Sequence, residues 1–168
     1  MTRSTLLLAA DRFGDRSLSY PYYRLQEAGH EVDLASPGGE AVAGLNGVEF
    51  PADVAVGDVD PDAYDLLVIP GGYAAETLRM QAPAAVEHVA AFDEADEPIA
   101  SICHGAQLLN SAGLVDGRRI ACHWSIKDDV EQSGGTFVDE PAVVDGNLVT
   151  ARHYGDVAEW LPAILSRL

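Results

Sequence analysis

Two residues in the stretch "PIASICHGAQLL" (Pro98–Leu109) have the makings of a reactive centre: Cys103, the strongest nucleophile among the side chains, and His104 directly after it. A cysteine paired with a histidine can be deprotonated and attack an electrophilic carbon. A bare Cys-His pair also fits a buried structural cysteine. The context favours chemistry. The apolar run "PIASIC" is a strand, "HGAQLLNSAG" is a helix that stops at Gly113, and a nucleophile on a sharp strand-to-helix turn is held above the sheet edge. The N–H groups that open the helix have no partner within it, so they can hold an oxyanion, and the helix dipole favours a thiolate. Gly105 lets the backbone pass close to a substrate. A second segment, "VIPGGYAAETLRM", ends a strand at Gly71 and Gly72, which could turn an N–H toward the same cleft, and carries Glu76 on a short helix. A carboxylate beside His104 would orient the imidazole; otherwise Glu76 is a solvated surface residue.

The elements that must position these residues alternate. "TLLLAA", "HEVDLAS", "DLLVIPGG", "PIASIC" and "NLVTAR" are short, largely apolar strands, and "LNGVEFPADVAV" suggests a hairpin at Asn46-Gly47. Helices lie between them: "SLSYPYYRLQEAGH" with Pro21 in its first turn, "APAAVEHVAAFDEAD", "WSIKDDVEQSGG" and "DVAEWLPAILSRL". Such alternation implies an α/β fold with a mostly parallel sheet between helix layers, whose sites gather at the carboxyl ends of the strands. No linker, repeat or low-complexity tract interrupts residues 1–168, so one domain is expected. His30 is expected to be structural, His88 solvated, and Trp124 and Trp160 packing residues; His153 follows a strand end from which it could reach a cleft.

Composition narrows the function classes. The 168 residues carry a formal net charge of −17, with 27 acidic against ten basic side chains. That surface repels nucleic acid and anionic lipid. No apolar stretch approaches the roughly 18 residues of a membrane span, and the first residues do not resemble a signal peptide, so a cytoplasmic location is expected. Two cysteines cannot build a disulfide framework. The adjacent pairs Cys103-His104 and Cys122-His123 lack the spacing of a zinc site, so no metal is expected.

Taken together, "YPYYRLQEAGHEVDLAS", "VIPGG", "ASICHGAQLL", "SAGLVDGRR", "SIKDDVEQSGG" and "VVDGNLVTAR" resemble the PfpI family, of the ThiJ/PfpI group in the class I glutamine amidotransferase-like superfamily. The resemblance spans nearly the whole chain. It implies a flavodoxin-like three-layer α/β/α sandwich with a nucleophile elbow at Cys103. It implies His104 as the catalytic histidine, Glu76 supplied by a neighbouring subunit of a homo-oligomer (a dimer or a hexamer), and Gly72 and His104 as backbone donors of the oxyanion hole. The implied activity is that of an intracellular cysteine peptidase, or of a glyoxalase- or deglycase-type enzyme acting on small carbonyl compounds such as methylglyoxal or their adducts, without a cofactor.

Two departures stand out. Where the family carries a glutamate after the first strand, in a stretch like F-E-D-V-E-L-x-Y-P, the present "FGDRSLSYP" places Gly14. Proton transfer at the substrate would suffer from that loss, and Asp11 or Asp15 could substitute in part. His123 stands where the family has a tyrosine, and either moves a proton near neutral pH or only shapes the cleft wall, which Gly14, Asp15 and Gly71 are also expected to form. These departures keep open a non-enzymatic stress- or redox-responsive protein that uses Cys103 as an oxidisable thiol. The dense carboxylates also suggest adaptation to a salt-rich cytoplasm, where salt screens their repulsion. Unfolding midpoints should then fall in dilute buffer relative to molar salt; equal midpoints would rule that adaptation out.

Overall fold

The computed structural model describes residues 2–168. Its centre is a seven-stranded sheet assembled from β1 (Ser4–Leu8), β2 (Glu31–Ser36), β5 (Val54–Ala55), β6 (Leu66–Ile69), β7 (Ile99–Ile102), β10 (Val143–Asp145) and β11 (Leu148–Ala151). The order is β10-β11-β7-β6-β1-β2-β5, parallel throughout except for the β10–β11 hairpin. Strands β6, β7 and β11 are buried along their whole length. Covered on both faces, they read as continuous apolar runs and not as alternating ones. Two small ribbons lie outside this sheet: β3 (Val42–Ala43) with β4 (Glu49–Phe50), and β8 (Arg119–Ile120) with β9 (Thr136–Phe137).

Helices α1 (Asp15–Glu27) and α6 (Val157–Leu165) pack together, α1 touching β2 and α6 touching β11. Helices α2 (Ala74–Gln81), α3 (Ala84–Glu94) and α4 (Ala106–Ser111) form a second group, with α3 against β6 and β7. The short α5 (Lys127–Gln132) packs on β9. The expected flavodoxin-like three-layer α/β/α sandwich is the observed fold. Among the described residues no helix is long and apolar enough to cross a membrane.

Three local expectations are corrected. Helix α1 begins at Asp15, so Pro21 lies in its interior and not in its first turn. Proline has no N–H to offer the Ser17 carbonyl one turn earlier. His88 is buried, not solvated: its Nε2 lies 2.8 Å from the Val56 carbonyl oxygen, which can only accept, so this nitrogen carries a proton. Trp124 is 75% exposed and packs into no core, whereas Trp160 is fully buried and donates its indole N–H to the Val149 carbonyl.

The loops at the carboxyl edge of the sheet are stitched together. Gly14 N–H donates to Gly71 O (2.9 Å), Tyr73 N–H to Arg12 O (2.9 Å), and Phe13 bridges Gly72 in antiparallel sense. Gly72 has φ +76°, and a Cβ there would stand 2.4 Å from Gly14 N and 2.6 Å from Arg12 O. Gly29, behind α1, has φ +88° but nothing within 4 Å. Gly29→Ala therefore carries only the left-handed strain, about 1 kcal/mol, while Gly72→Ala adds a collision with backbone and should lose about 3 kcal/mol or more. Chemical denaturation of the two variants checks this; equal losses would mean that the stitched loops yield freely.

Candidate active site

Cys103 follows β7 at the carboxyl edge and opens a single 3-10 turn (Cys103–Gly105) that runs into α4. Its φ is +62°. This is left-handed backbone, which costs a non-glycine residue on the order of 1–3 kcal/mol unless its surroundings hold it there. They do. β7 is paired on both sides, by β6 as far as Ser101 and by β11 as far as Ile102, the residue before the turn. The Cys103 carbonyl accepts the His123 N–H at 3.2 Å. Gly71 and Gly105 allow the close approach: a Cβ at Gly71 would stand 2.7 Å from Cys103 Cβ, and one at Gly105 would stand 2.8 Å from the Ile69 carbonyl oxygen.

The backbone N–H groups of Gly72 and His104 both donate to the Cys103 sulfur. Burial nevertheless outweighs these bonds and pushes the thiol above its ordinary value. Desolvation thus works against the thiolate that the helix end was expected to favour.

His104 Nδ1 lies 3.4 Å from Cys103 Sγ. Burial, and then the neighbouring His123, push the His104 imidazole below its ordinary value; Glu76 pulls it back through space. A neutral imidazole is the form that can take the thiol proton. On its far side, His104 Nε2 meets Ser125 Oγ at 3.1 Å. The His123 ring stacks on that of His104, with centroids 4.5 Å apart and planes at 26°. Glu76 is exposed on α2, and among the described residues it makes no hydrogen bond with His104 of its own chain.

A cavity of about 380 Å³ opens on the sulfur, lined by Gly14, Asp15, Ser17, Gly71, Gly72, Cys103, His104 and Tyr154 among others. That is the size of a small-molecule site. His123 is not part of its wall and stands behind His104. Two tyrosines of its wall carry guanidinium groups: Arg16, itself in the wall, lies over the Tyr154 ring at 4.9 Å, and Arg12 lies over Tyr73 at 4.1 Å. His153 turns its Nδ1 to the Gly155 N–H and stays outside the cavity wall.

Asp15 is not free to replace a missing glutamate. Burial opposes ionisation of Asp15, but the N–H groups of Val48 and Asn46 and the Asn46 amide hold its carboxyl below the usual carboxylate range. Its lone pairs are committed to the β3–β4 turn. Asp11 accepts the Ala43 N–H at 2.9 Å. At Gly14 itself the space is taken: a Cβ there would meet Ser17 Oγ at 2.7 Å. Ser17 is buried, donates to the Gly14 carbonyl (2.8 Å) and accepts the Gly71 N–H (2.9 Å), so it orients the loop beside the sulfur. Ser17 and Ser125 are the site residues that the sequence reading missed. Each follows a position it did single out, Ser17 three residues after Gly14 and Ser125 two after His123, and hydroxyls at such offsets bond back to the turn that opens a helix. Cys122 is buried with its thiol pushed up to about 12, chiefly by burial, so it is inert packing.

The DJ-1/PfpI family model matches residues 3–167. The chain is similar to a deglycase of Thermococcus kodakarensis, with 43% identity over 156 residues that cover 93% of each protein. It is similar to Deglycase PfpI of Pyrococcus furiosus at 42% identity over the same share. Among solved structures, a two-domain protein of Anabaena variabilis with DJ-1/ThiJ/PfpI-like and ferritin-like domains superposes with a TM-score of 0.95 at 32% identity; the match covers 99% of this chain and 48% of that one, about half its length. Drosophila melanogaster DJ-1beta superposes with a TM-score of 0.91 at 26% identity, covering 100% and 91%.

A thiol held above its ordinary value reacts as thiolate only when the pH approaches that raised value. Alkylation of Cys103 by iodoacetamide should therefore still be accelerating as the pH passes 9.0, the ordinary thiol value. A rate that levels off near neutrality would show that the resting sulfur is already ionised.

Proposed function

The chain belongs to the DJ-1/PfpI family, and from that premise we propose that it is a Cys103-dependent enzyme of the deglycase or glyoxalase type, acting on small carbonyl compounds or their adducts. The observation that carries this reading is the strained elbow: Cys103 at φ +62°, with two backbone N–H groups on its sulfur and His104 Nδ1 at 3.4 Å. The geometry supports the following sequence. The Cys103 S–H proton passes to His104 Nδ1, and the sulfur electron pair forms the S–C bond to the substrate carbonyl. The C=O π pair moves onto oxygen, where the N–H groups of Gly72 and His104 can receive it as an oxyanion hole. Protonation of that oxygen by His104 closes a hemithioacetal with every atom accounted for. Later steps that move a proton at the substrate carbon find no carboxylate at position 14, and general acid–base help of this kind is worth about 10²–10⁴-fold.

The small cavity favours small molecules over polypeptide and argues against a peptidase. The exposure of Glu76 supports the reading that it serves a neighbouring subunit's His104 in a homo-oligomer, dimer or hexamer. The charge of −17 supports a salt-rich cytoplasm as the setting.

Consumption of methylglyoxal and release of glycated thiol or amine should fall at least about a thousandfold in Cys103→Ala. Equal rates would remove the nucleophile from the mechanism. Dissociating Cys103→Ala and Glu76→Ala oligomers and reassembling them together should restore part of the activity, since one mixed site would then hold both groups. No recovery would place Glu76 outside the site.

A further inference from the structure

We propose that Arg16 selects substrates that carry a carboxylate as well as a carbonyl, holding the carboxylate at the cavity wall while Cys103 meets the carbonyl. This rests on the reading of Cys103 as the nucleophile, and it narrows the small carbonyl compounds of that reading to oxo acids and adducts with a free carboxylate. It takes no atom of His104, so the role given there to a neighbouring subunit's Glu76 stands unchanged.

Among the described residues that line the cavity, Arg16 is the one with a permanent positive charge. The packing of α1 on α6 places its guanidinium. Arg16 lies in the first turn of α1, and Tyr154 opens the 3-10 turn (Tyr154–Asp156) that leads into α6. The Tyr154 ring, also in the wall, meets the guanidinium at 4.9 Å. A ring face restrains a guanidinium through its π cloud and leaves the N–H groups unused. Those groups are open here: among the described residues the Arg16 side chain forms no ion pair and no hydrogen bond. Elsewhere carboxylates close on the arginines. Arg3, Arg118 and Arg152 each hold an aspartate oxygen at 2.7 to 2.9 Å.

The acids beside Arg16 and Tyr154 are already engaged. Asp15 turns Oδ1 to the Val48 N–H at 3.0 Å and Oδ2 to the backbone N–H and side-chain amide of Asn46 at 2.9 and 3.1 Å. Asp156, in the turn that Tyr154 opens, is held by Arg152 at 2.9 and 3.0 Å. The Arg16 fork is thus left for what enters the cavity. One planar fork matches the two oxygens of one carboxylate. A phosphate dianion would keep a second charge uncovered next to Asp15, so the carboxylate is the better fit. Attachment at two points, the carbonyl at the sulfur and the carboxylate at Arg16, fixes which carbon the sulfur meets. At long range the net charge of −17 repels anions. A local fork in the wall is what lets an acidic substrate bind.

The test reads the carboxylate preference of Cys103 as a ratio of rates. Two reagent pairs share a reacting group and differ in whether they carry a carboxylate: iodoacetate with iodoacetamide, and the longer 3-maleimidopropionate with N-ethylmaleimide. Mass spectrometry of the labelled Cys103 peptide gives each rate. At one pH and one salt concentration both members of a pair meet the same thiolate fraction, which cancels in the ratio. No substrate is turned over, so the outcome is independent of whether the chain consumes methylglyoxal. Arg16→Gln should lower the ratio of charged to neutral reagent about fivefold in at least one pair, the upper end of what an exposed ion pair contributes, and leave the rate of the neutral reagent unchanged. Tyr154→Phe keeps the ring and should keep the ratio, whereas Tyr154→Ala should lower it. Arg119→Gln removes a positive charge that lies outside the cavity wall and should leave the ratio as it is. Two results would overturn the inference: ratios unmoved by Arg16→Gln in both pairs, or an equal fall in Arg119→Gln, which would mean that the reagents sense net charge and not the wall.

Discussion

The site depends on one residue held where its backbone does not want to be. Cys103 adopts φ +62° between a strand and a helical turn. A β-branched or bulky residue would resist that conformation more, and a glycine would adopt it without offering a nucleophile. The strain persists because the structure on each side leaves no slack. β7 is locked between β6 and β11, the loop of Gly71 and Gly72 lies against the Cys103 side chain, and Gly105 sits against the carbonyls of Ile69 and Pro70. These close approaches also aim the N–H groups of Gly72 and His104 at the sulfur. The elbow and its hydrogen-bond donors are two results of one packing constraint.

Desolvation works against ionisation of the sulfur. The position that shelters the sulfur also withholds water from a thiolate, and two backbone N–H groups do not outweigh that cost. A neutral thiol needs a base, and the base needs its own proton held elsewhere. His104 stands beside it, with Nδ1 3.4 Å from the sulfur and Nε2 3.1 Å from Ser125 Oγ. On the cavity side, both carboxylates near the first loop are committed to backbone N–H groups of the β3–β4 ribbon and its turn. Asp15, which lines the cavity, has both oxygens bonded at the β3–β4 turn, and Arg12 and Arg16 stand over the rings of Tyr73 and Tyr154, which line it too.

Much of this was legible in the sequence. Apolar runs such as "LLVI" and "IASI" read directly as buried strands, because parallel strands covered on both faces have no polar side to show. The elbow was legible for a local reason: a strand, a nucleophile and a small residue follow one another along the chain. What misled were residues whose surroundings come from elsewhere. His88 sits among acidic neighbours in sequence, yet it faces the Val56 carbonyl across the fold. Trp124 has the composition of a core residue, yet it stands on an exposed turn.

By itself, then, the sequence determined the alternation of strands and helices and the family, and it set Cys103 and His104 side by side at a strand end, since periodicity and adjacency are properties of the chain. Only the tertiary structure decided how those groups stand. It buried the thiol, filled the space beside Gly14 with the Ser17 hydroxyl, tied Asp15 to a distant turn, and brought Ser125 and His123 behind His104. The reason is that desolvation and hydrogen-bond direction depend on distances of about 3 Å across the fold, between segments that in this chain lie some twenty to thirty positions apart, as His104 and Ser125 or Asp15 and Val48 do.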